Sequence, residues 1–342
     1  MEMKDHTKHN GYKLVIPLAL SIIIFISGCG KTEQTKIHEI AQGSCIKYQS
    51  QAMDIIRQGL VSDEPRIRAN AIEVVGNQRI REYMPVVLEH LKDSVVPVRF
   101  AACVAIGDAK YTPAREKMKN LTNDQNENVR IAANYAVNRI QGTRDYALLG
   151  KAIASKDQTV RANAAFLLGK TNDLSVLELL YWVKNHENSD VKVRLEATEA
   201  IARLGDRKIY PKIWTMLISK YIENKLSGIR SLGYLGSGEA KNALLTMLKD
   251  ETLEIRVAAA GELGKMGDFA GEKIVADALN SDLNLQYNTE EIERIQIITA
   301  VAIGQIKSAS LTRYLPMLLQ NKSEYVKIAA SQAVVNCLKP ND

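Results

Sequence analysis

The chain has 342 residues, with 45 Lys and Arg against 39 Asp and Glu and a formal net charge of +6. This charge is too small and too dispersed for a nucleic-acid-binding protein, and no basic run resembles a nucleic-acid-binding arm. At this length we expect either two globular domains or one elongated array of repeats.

The first recognisable element is an apolar segment from Leu14 to Ile26, which follows a weakly basic stretch containing Lys4, Lys8 and Lys13. Spanning a bilayer needs about 20 apolar residues, so this shorter segment suits the core of a signal peptide better than a transmembrane helix. A buried N-terminal helix is the competing interpretation.

The segment ends in the sequence ISGC at positions 26–29, which resembles the lipobox of bacterial lipoproteins. The resemblance implies cleavage after Gly28 and diacylglycerol on the Cys29 sulfur, since two or three acyl chains on one residue give stable anchoring. We therefore predict a signal peptide over 1–28, a tether over 29–47 and a location on the extracytoplasmic face of a bacterial inner or outer membrane.

Few thiols remain beyond the lipobox. Without residues 1–28 the chain has 42 basic and 37 acidic side chains, a net charge of +5, and its cysteines besides Cys29 are Cys45, Cys103 and Cys337. Three thiols, far apart and without a Cys-x-x-Cys pair, argue against a disulfide framework and against a zinc site.

From about residue 50 the sequence repeats with a period near 31 residues. Nine units carry a basic residue, or in one case glutamine, at one equivalent position that we call the anchor, at spacings of 31, 31, 31, 33, 31, 31, 40 and 31 residues. The anchors of repeats 1 to 9 are Arg68, Arg99, Arg130, Arg161, Arg194, Lys225, Arg256, Gln296 and Lys327.

The columns around the anchor predict a helix with one apolar face. Positions −1 and +7 are aliphatic and position +3 is small in nearly every unit, which is the spacing of one helical stripe. A second amphipathic segment precedes each anchor, for example at 84–93 and 241–250. Two helices per unit and no convincing strand predict an all-α fold, an α-solenoid of about nine helix pairs over 48–338.

The pattern D-x(3–5)-V-R-x-x-A-A-x-x-L-G is nearly intact from Asp157 to Gly169 and from Asp250 to Gly264. The unit therefore resembles the HEAT repeat, of the short type also found in phycobilisome-lyase-like proteins. The resemblance implies the solenoid fold and a ladder of ion pairs between turn aspartates and anchor arginines, so we expect Arg161 to be half-buried against a carboxylate. It says almost nothing about function.

Catalytic motifs are missing from the sequence. The histidines beyond the lipobox are His38, His90 and His186, in different units, and no phosphate-binding glycine loop, HExxH or nucleophile elbow occurs. HEAT-fold deoxyhypusine hydroxylases bind iron through four His-Glu pairs, whereas this chain has two, His38-Glu39 and His186-Glu187. We therefore predict no catalytic residue, metal, cofactor or small-molecule substrate, and keep a lyase-like or metal-dependent enzyme as a distant alternative.

Positions +5 and +9 of each second helix lie opposite the apolar stripe, on the side that lines the concave surface in such solenoids. In repeats 3 to 5 these positions combine aromatic and basic side chains: Tyr135, Arg139, Phe166, Lys170 and Arg203. Exposed aromatics among cations are typical of binding hot spots, so we predict an exposed surface that binds a protein partner, and a scaffold or adaptor function. An anionic envelope polymer is the alternative ligand, and a solvated face without function is the third interpretation.

The repeat register breaks once, between Arg256 and Gln296, where about nine extra residues fall in the polar segment 280–293. We predict a surface loop there. Loops on a rigid scaffold often carry recognition, although a neutral insertion agrees with the sequence equally well.

Overall fold

The computed structural model describes residues 41–280 and 282–339, which contain α-helices, short 3-10 turns and no β-strand. The predicted signal peptide, the lipid-attachment residue Cys29 and the pair His38-Glu39 lie outside the described residues. Among the described helices, none has the length and hydropathy that crossing a bilayer requires.

From residue 49 onward the described helices form nine units, eight helix pairs and a last unit of three helices. The last helix of each unit contains the anchor, so the predicted α-solenoid is confirmed. In chain order the helices are α1 (Gln49–Leu60) and α2 (Pro65–Gln78) in repeat 1, α3 (Met84–Glu89) and α4 (Val96–Asp108) in repeat 2, α5 (Arg115–Leu121) and α6 (Glu127–Gln141) in repeat 3, α7 (Ala147–Ala152) and α8 (Gln158–Gly169) in repeat 4, α9 (Leu177–Asn185) and α10 (Val191–Arg203) in repeat 5, α11 (Tyr210–Leu217) and α12 (Ile222–Leu235) in repeat 6, α13 (Gly238–Met247) and α14 (Leu253–Lys265) in repeat 7, α15 (Glu272–Asn280) and α16 (Thr289–Ile306) in repeat 8, and α17 (Ala309–Thr312), α18 (Leu315–Leu319) and α19 (Glu324–Cys337) in repeat 9.

Small residues let successive second helices approach closely. A Cβ placed on Gly76 of α2 would lie 2.7 Å from the Cα of Ala105 on α4, and one on Gly169 of α8 would lie 2.7 Å from the Cα of Ala200 on α10. Real side chains do not tolerate such distances, so glycine at these positions sets the spacing between neighbouring repeats. Leu168 and the other aliphatic residues of the stripe fill the buried seam.

Three anchor residues join their repeat to the next by an ion pair. Arg68 donates to both carboxylate oxygens of Asp93 at 2.9 and 3.0 Å, and also to the carbonyl of Ser62 in its own turn. Two further pairs repeat the arrangement at 3.5 and 2.7 Å: Arg99–Asp124 and Lys225–Asp250. The predicted ladder exists wherever an aspartate stands 25 residues after the anchor.

Arg161 departs from that ladder. It is buried, with 6% of its surface exposed, but it faces the Ser155 carbonyl, the Ser189 hydroxyl at 3.3 Å and the His186 Nδ1 atom at 3.4 Å. The prediction of a carboxylate partner is wrong here because histidine occupies the position 25 residues on. The next aspartate, Asp190, instead caps α10 by accepting from the Val193 amide.

The insertion at 280–293 is only partly a loop, so that prediction needs correction. From Thr289 onward it lengthens α16, whose first turn is fixed by a capping box between Asn288 and Glu291. Leu283 is buried beneath the remaining turn. The Asn-x-x-Glu spacing is a helix-start signal in the sequence that the loop prediction overlooked.

The two ends of the solenoid meet. Each second helix packs on the next around the chain, and α19 of repeat 9 packs on both α1 and α2 of repeat 1. The junction is apolar at its centre, where Ile328 joins the same buried cluster as Ile56, and polar at its edge, where Tyr325 Oη donates to Glu64 Oε1 at 2.6 Å. We call this closed arrangement the ring; the repeat pattern alone does not predict it.

Candidate functional site

The structure brings most of the predicted binding residues to one cavity on the inner side of the ring. Its volume is about 290 Å³, and it contains side chains from repeats 1 to 6. We call it the basic cavity, after its four cationic residues, which stand beside two tyrosines and one aspartate: Arg79, Arg139, Lys170, Arg203, Tyr135, Tyr234 and Asp108.

Tyr135 is not exposed, so that part of the prediction is wrong. Only 1% of its surface is accessible, and its Oη donates to Asp108 Oδ1 at 2.6 Å. Burial and the neighbouring carboxylate both raise the pKa of the Tyr135 hydroxyl. The aromatic ring of Tyr135 lies against Gly107, which has no side chain and so leaves space for it. Tyr135 therefore supports the cavity wall rather than offering a free aromatic surface.

Phe166 is half-buried and belongs to a row of alternating cations and aromatic rings. The Lys170 ammonium lies 5.3 Å and the Arg203 guanidinium 5.7 Å from the Phe166 ring centroid. Arg203 also lies 4.4 Å from the ring of Tyr234, which Lys265 approaches to 5.7 Å. Such contacts hold the cations over the rings and orient the arginine plane.

Lys170 spans two repeats. Its ammonium lies 2.8 Å from Asp108 of repeat 2, across repeat 3, and both side chains are 15% exposed. The Asp108 carboxylate therefore forms an ion pair with Lys170 and accepts a hydrogen bond from the Tyr135 hydroxyl. No second acidic residue lines the basic cavity, so Asp108 is poorly placed to neutralise the remaining cations as well.

Two cations of the basic cavity, Arg79 and Arg139, have no side-chain partner among the described residues; Arg79 is exposed, whereas Arg139 is half-buried. No described residue makes a hydrogen bond or ion pair with the Arg139 guanidinium, and its Nε atom is buried without an acceptor. A buried donor left unsatisfied costs about 1–3 kcal/mol. The Nε of Arg203 is also buried without an acceptor, although its Nη2 atom lies 3.6 Å from Glu199 and bonds the Tyr234 hydroxyl.

Two acidic residues of the inner face lie next to the basic cavity. Glu199 pairs with Arg230 at 3.1 Å and with Arg203 of the cavity. Desolvation raises the pKa of Glu73 against the opposing effect of Lys170. The cations of the cavity that no carboxylate pairs with are therefore Arg79 and Arg139.

Residues 53–138, a quarter of the chain, match the family model for HEAT repeats. The chain contains HEAT repeats. A comparison with curated protein sequences gave no match.

Three solved structures are similar to this chain at low identity and low TM-score. Human deoxyhypusine hydroxylase in complex with glycerol is 17% identical and has a TM-score of 0.36, with 76% of this chain and 97% of that chain covered. YibA of Escherichia coli is 20% identical with a TM-score of 0.34, covering 64% and 85%. The complex of CpcE and CpcF of phycocyanin lyase from Nostoc sp. PCC7120 is 18% identical with a TM-score of 0.33, covering 83% and 92%. At such low identities and TM-scores, these structures carry no information on the chemistry of this chain.

Within the HEAT repeats that the structure describes, no group of three or more His, Cys, Asp or Glu side chains is placed to hold a metal ion. His186 lies against Arg161 and accepts from the Asn188 amide, and His90 lies 3.6 Å from Asp93. Both histidines therefore serve the turns between helices. The absence of a metal or cofactor stays a prediction for the whole protein.

Proposed function

We propose that this protein is a lipid-anchored, extracytoplasmic HEAT-repeat scaffold that binds an acidic segment of a protein partner in the basic cavity. HEAT repeats are protein-interaction scaffolds whose inner helices provide a continuous concave surface. The finer parts of the proposal, namely the anchor, the location and the acidic partner, rest on separate observations.

The single observation that carries the binding proposal is the unpartnered Arg139 guanidinium. A carboxylate accepts two parallel hydrogen bonds from arginine and would satisfy it without further rearrangement. Arg79 and Arg203 line the same cavity, so a second carboxylate of the same ligand can pair with one of these two arginines. Acidic side chains of a protein segment fit this charge pattern.

The size of the basic cavity favours an extended segment over a folded domain. A volume of about 290 Å³ holds a few side chains and is too small for a globular surface. The closed ring also pre-organises the cations, which lowers the entropic cost of binding.

The anchoring proposal is supported by the sequence ISGC at positions 26–29. We expect protein extracted from membranes to begin at Cys29, to lack residues 1–28 and to carry the added mass of acyl chains, which intact-mass spectrometry measures. Cys29→Ser is expected to leave an unprocessed precursor or a soluble form. Unchanged membrane attachment without lipid mass would refute the anchor while leaving the binding site untouched.

The binding proposal is tested with a fluorescent peptide of alternating glutamate and serine against the detergent-solubilised chain. Arg139→Gln is expected to weaken binding about tenfold, because a hydrogen-bonded charge contact is worth about 1.5–3 kcal/mol. The matched control is Arg57→Gln, an exposed arginine on α1 that pairs only with Asp54 and is expected to leave affinity unchanged. Equal losses in both variants would show general charge attraction and contradict a defined site.

An anionic envelope polymer is the alternative ligand, and the same assay separates the two. Polyphosphate of matched charge serves as the probe. A polymer-binding surface makes many backbone contacts, so its affinity falls steeply with salt and is spread over many cations. Tighter binding of polyphosphate than of the peptide, with little dependence on Arg139, would favour the polymer.

A further inference from the structure

Two cysteines meet where the ring closes. Cys45 lies in the helical residues 41–46, and Cys337 is the last residue of α19. Their side chains are 0% and 1% exposed and lie in one apolar cluster with Ala52 and Val334. Nearly the whole repeat array separates them in sequence, and only the closure of the ring brings them together.

The two thiols are neighbours in the fold. Gln42 Nε2, three residues before Cys45, donates to the carbonyl of Leu338, the residue after Cys337, at 3.1 Å. This bond fixes the 41–46 helix against the end of α19 and brings the two side chains together in the apolar cluster.

The two thiols differ in acidity. Interaction with the neighbouring Cys337 side chain lowers the pKa of the Cys45 thiol despite its burial. Interaction with Cys45 and burial both raise the pKa of the Cys337 thiol. Because the thiolate is the nucleophile in disulfide exchange, Cys45 is the thiol that attacks first.

We propose that Cys45 and Cys337 form an oxidisable dithiol pair whose disulfide locks the ring covalently. The co-reactant is another disulfide, either glutathione disulfide or the active-site disulfide of a thiol oxidoreductase. The Cys45 thiolate attacks one sulfur of that disulfide and forms a mixed disulfide, releasing one thiolate. The Cys337 thiolate then attacks the Cys45 sulfur and releases the second thiolate. The two protons lost from the cysteines reside on the reduced co-reactant, so atoms and electrons balance.

The third cysteine is a matched internal control. Cys103 is fully buried in α4, and burial raises the pKa of its thiol to about 12. Among the described residues it has no cysteine neighbour, since Cys45 and Cys337 lie at the ring junction. The spacing of the three cysteines in the sequence does not predict that Cys45 and Cys337 are neighbours in the fold.

Closure of the ring gives the bond a physical role. Repeats 9 and 1 are held together by packing alone, without a connecting turn, so local opening of this junction exposes the two buried thiols to the co-reactant. A bond between the first and last repeats restrains that opening, and it restricts the unfolded chain over a very long loop. The inference needs only the ring and is independent of the proposed ligand; export to an oxidising compartment, if correct, supplies conditions in which the disulfide persists.

The test uses the full chain extracted in mild detergent, incubated with glutathione disulfide at pH 8, blocked with N-ethylmaleimide and digested for mass spectrometry. We expect one intramolecular peptide linking Cys45 to Cys337, and a thermal unfolding temperature about 5 °C or more above that of the reduced chain. Cys103→Ala is expected to keep both results, and Cys45→Ala and Cys337→Ala to lose both.

Two results would overturn the proposal. One is a chain whose Cys45 and Cys337 remain reduced or carry only glutathione after incubation. The other is a linked product that joins two molecules rather than the two ends of one. Should Cys45→Ala fail to fold, the linked peptide and the shift in unfolding temperature measured on Cys103→Ala decide the question alone.

Discussion

The inner face of the ring differs between two regions built from the same helix position. In repeats 8 and 9, position +9 is Gln305 and Asn336, and both side chains are satisfied: Gln305 donates to Glu262 at 3.1 Å and Asn336 to the Gly304 carbonyl at 2.6 Å. In repeat 3 the same position is Arg139, which has no hydrogen-bond or ion-pair partner among the described residues. The three side chains occupy the same helix position, but only Gln305 and Asn336 have hydrogen-bond partners. We therefore assign Gln305 and Asn336 to the stability of the ring and Arg139 to ligand binding.

The arginines of the chain divide in the same way. Anchor arginines such as Arg68 are engaged by carbonyls and carboxylates of the neighbouring turns. Arg139 also lies on a second helix, nine residues after the anchor, and its side chain has no hydrogen-bond or ion-pair partner among the described residues. We therefore expect anchor substitutions to reduce stability and Arg139 substitutions to reduce binding.

The largest expected effect is on stability, at Arg161. Arg161→Ala removes a buried charge with three hydrogen-bonding neighbours and is expected to lower the free energy of unfolding by about 2–3 kcal/mol. Urea denaturation measures it, with Arg57→Ala as the exposed control. A loss below about 0.5 kcal/mol, typical of ordinary surface sites, would make the anchor column available for binding and remove the distinction.

Arg139 should show the opposite behaviour. Arg139→Gln is expected to change the free energy of unfolding by less than about 0.5 kcal/mol, or to raise it, because the wild-type guanidinium has an unsatisfied buried donor. The same variant is expected to lose about tenfold in affinity for the acidic peptide. Strong destabilisation would instead identify Arg139 as a structural residue.

The ladder predicts how stability depends on pH. Burial alone would raise the pKa of Asp93, but hydrogen bonds from Arg68 and the Val95 amide outweigh it and hold that pKa below its usual range. A folded-state pKa below the unfolded one gives stability that is complete above about pH 4 and is lost as the pH falls through the folded value.

We therefore expect Asp93→Asn to flatten the loss of stability between about pH 4 and pH 2, measured by urea denaturation across that range. Asp54→Asn is the control, since Asp54 is an exposed carboxylate on α1. If the wild type and Asp93→Asn lose the same free energy of unfolding as the pH falls, the ladder contributes nothing to stability in acid.

The smallest expected effect concerns the pair that crosses repeat 3. Lys170→Met keeps the aliphatic stem but leaves Asp108 with only the Tyr135 hydroxyl, and is expected to cost about 1 kcal/mol. Lys273→Met, in an exposed pair with Asp277, is expected to cost less than about 0.5 kcal/mol. Equal costs for the two variants would show that the enclosure of the inner face does not strengthen its ion pairs.

The sequence predicts those features that recur in each repeat. The apolar stripe, the small residues between helices and the anchor ladder all follow from a 31-residue pattern, because each involves only one unit and its neighbour. The burial of Tyr135 follows from Gly107 and Asp108 of the neighbouring repeat, a pairing that the repeat pattern does not contain. The closure of the ring depends instead on the curvature summed over nine repeats, which no single unit contains. For the same reason the proximity of Cys45 and Cys337 could not be read from their spacing.

The prediction of a carboxylate partner for Arg161 was wrong for a local reason. The residue 25 positions after Arg161 is His186, whereas Arg68, Arg99 and Lys225 have an aspartate at that distance. The candidate site was predicted by helical position alone. That prediction could not distinguish Arg139 from Lys170, which is already paired with Asp108.

The most direct test of the central claim is a double-mutant cycle between Arg139 and the acidic peptide. Affinities are measured by calorimetry for the wild type and Arg139→Gln, each against the peptide and against variants with one glutamate replaced by glutamine. If Arg139 contacts a carboxylate, one glutamate is expected to couple to it by about 1.5 kcal/mol, while the others add independently. Coupling within about 0.3 kcal/mol of zero at every glutamate would show that Arg139 binds no carboxylate of the ligand and would contradict the account.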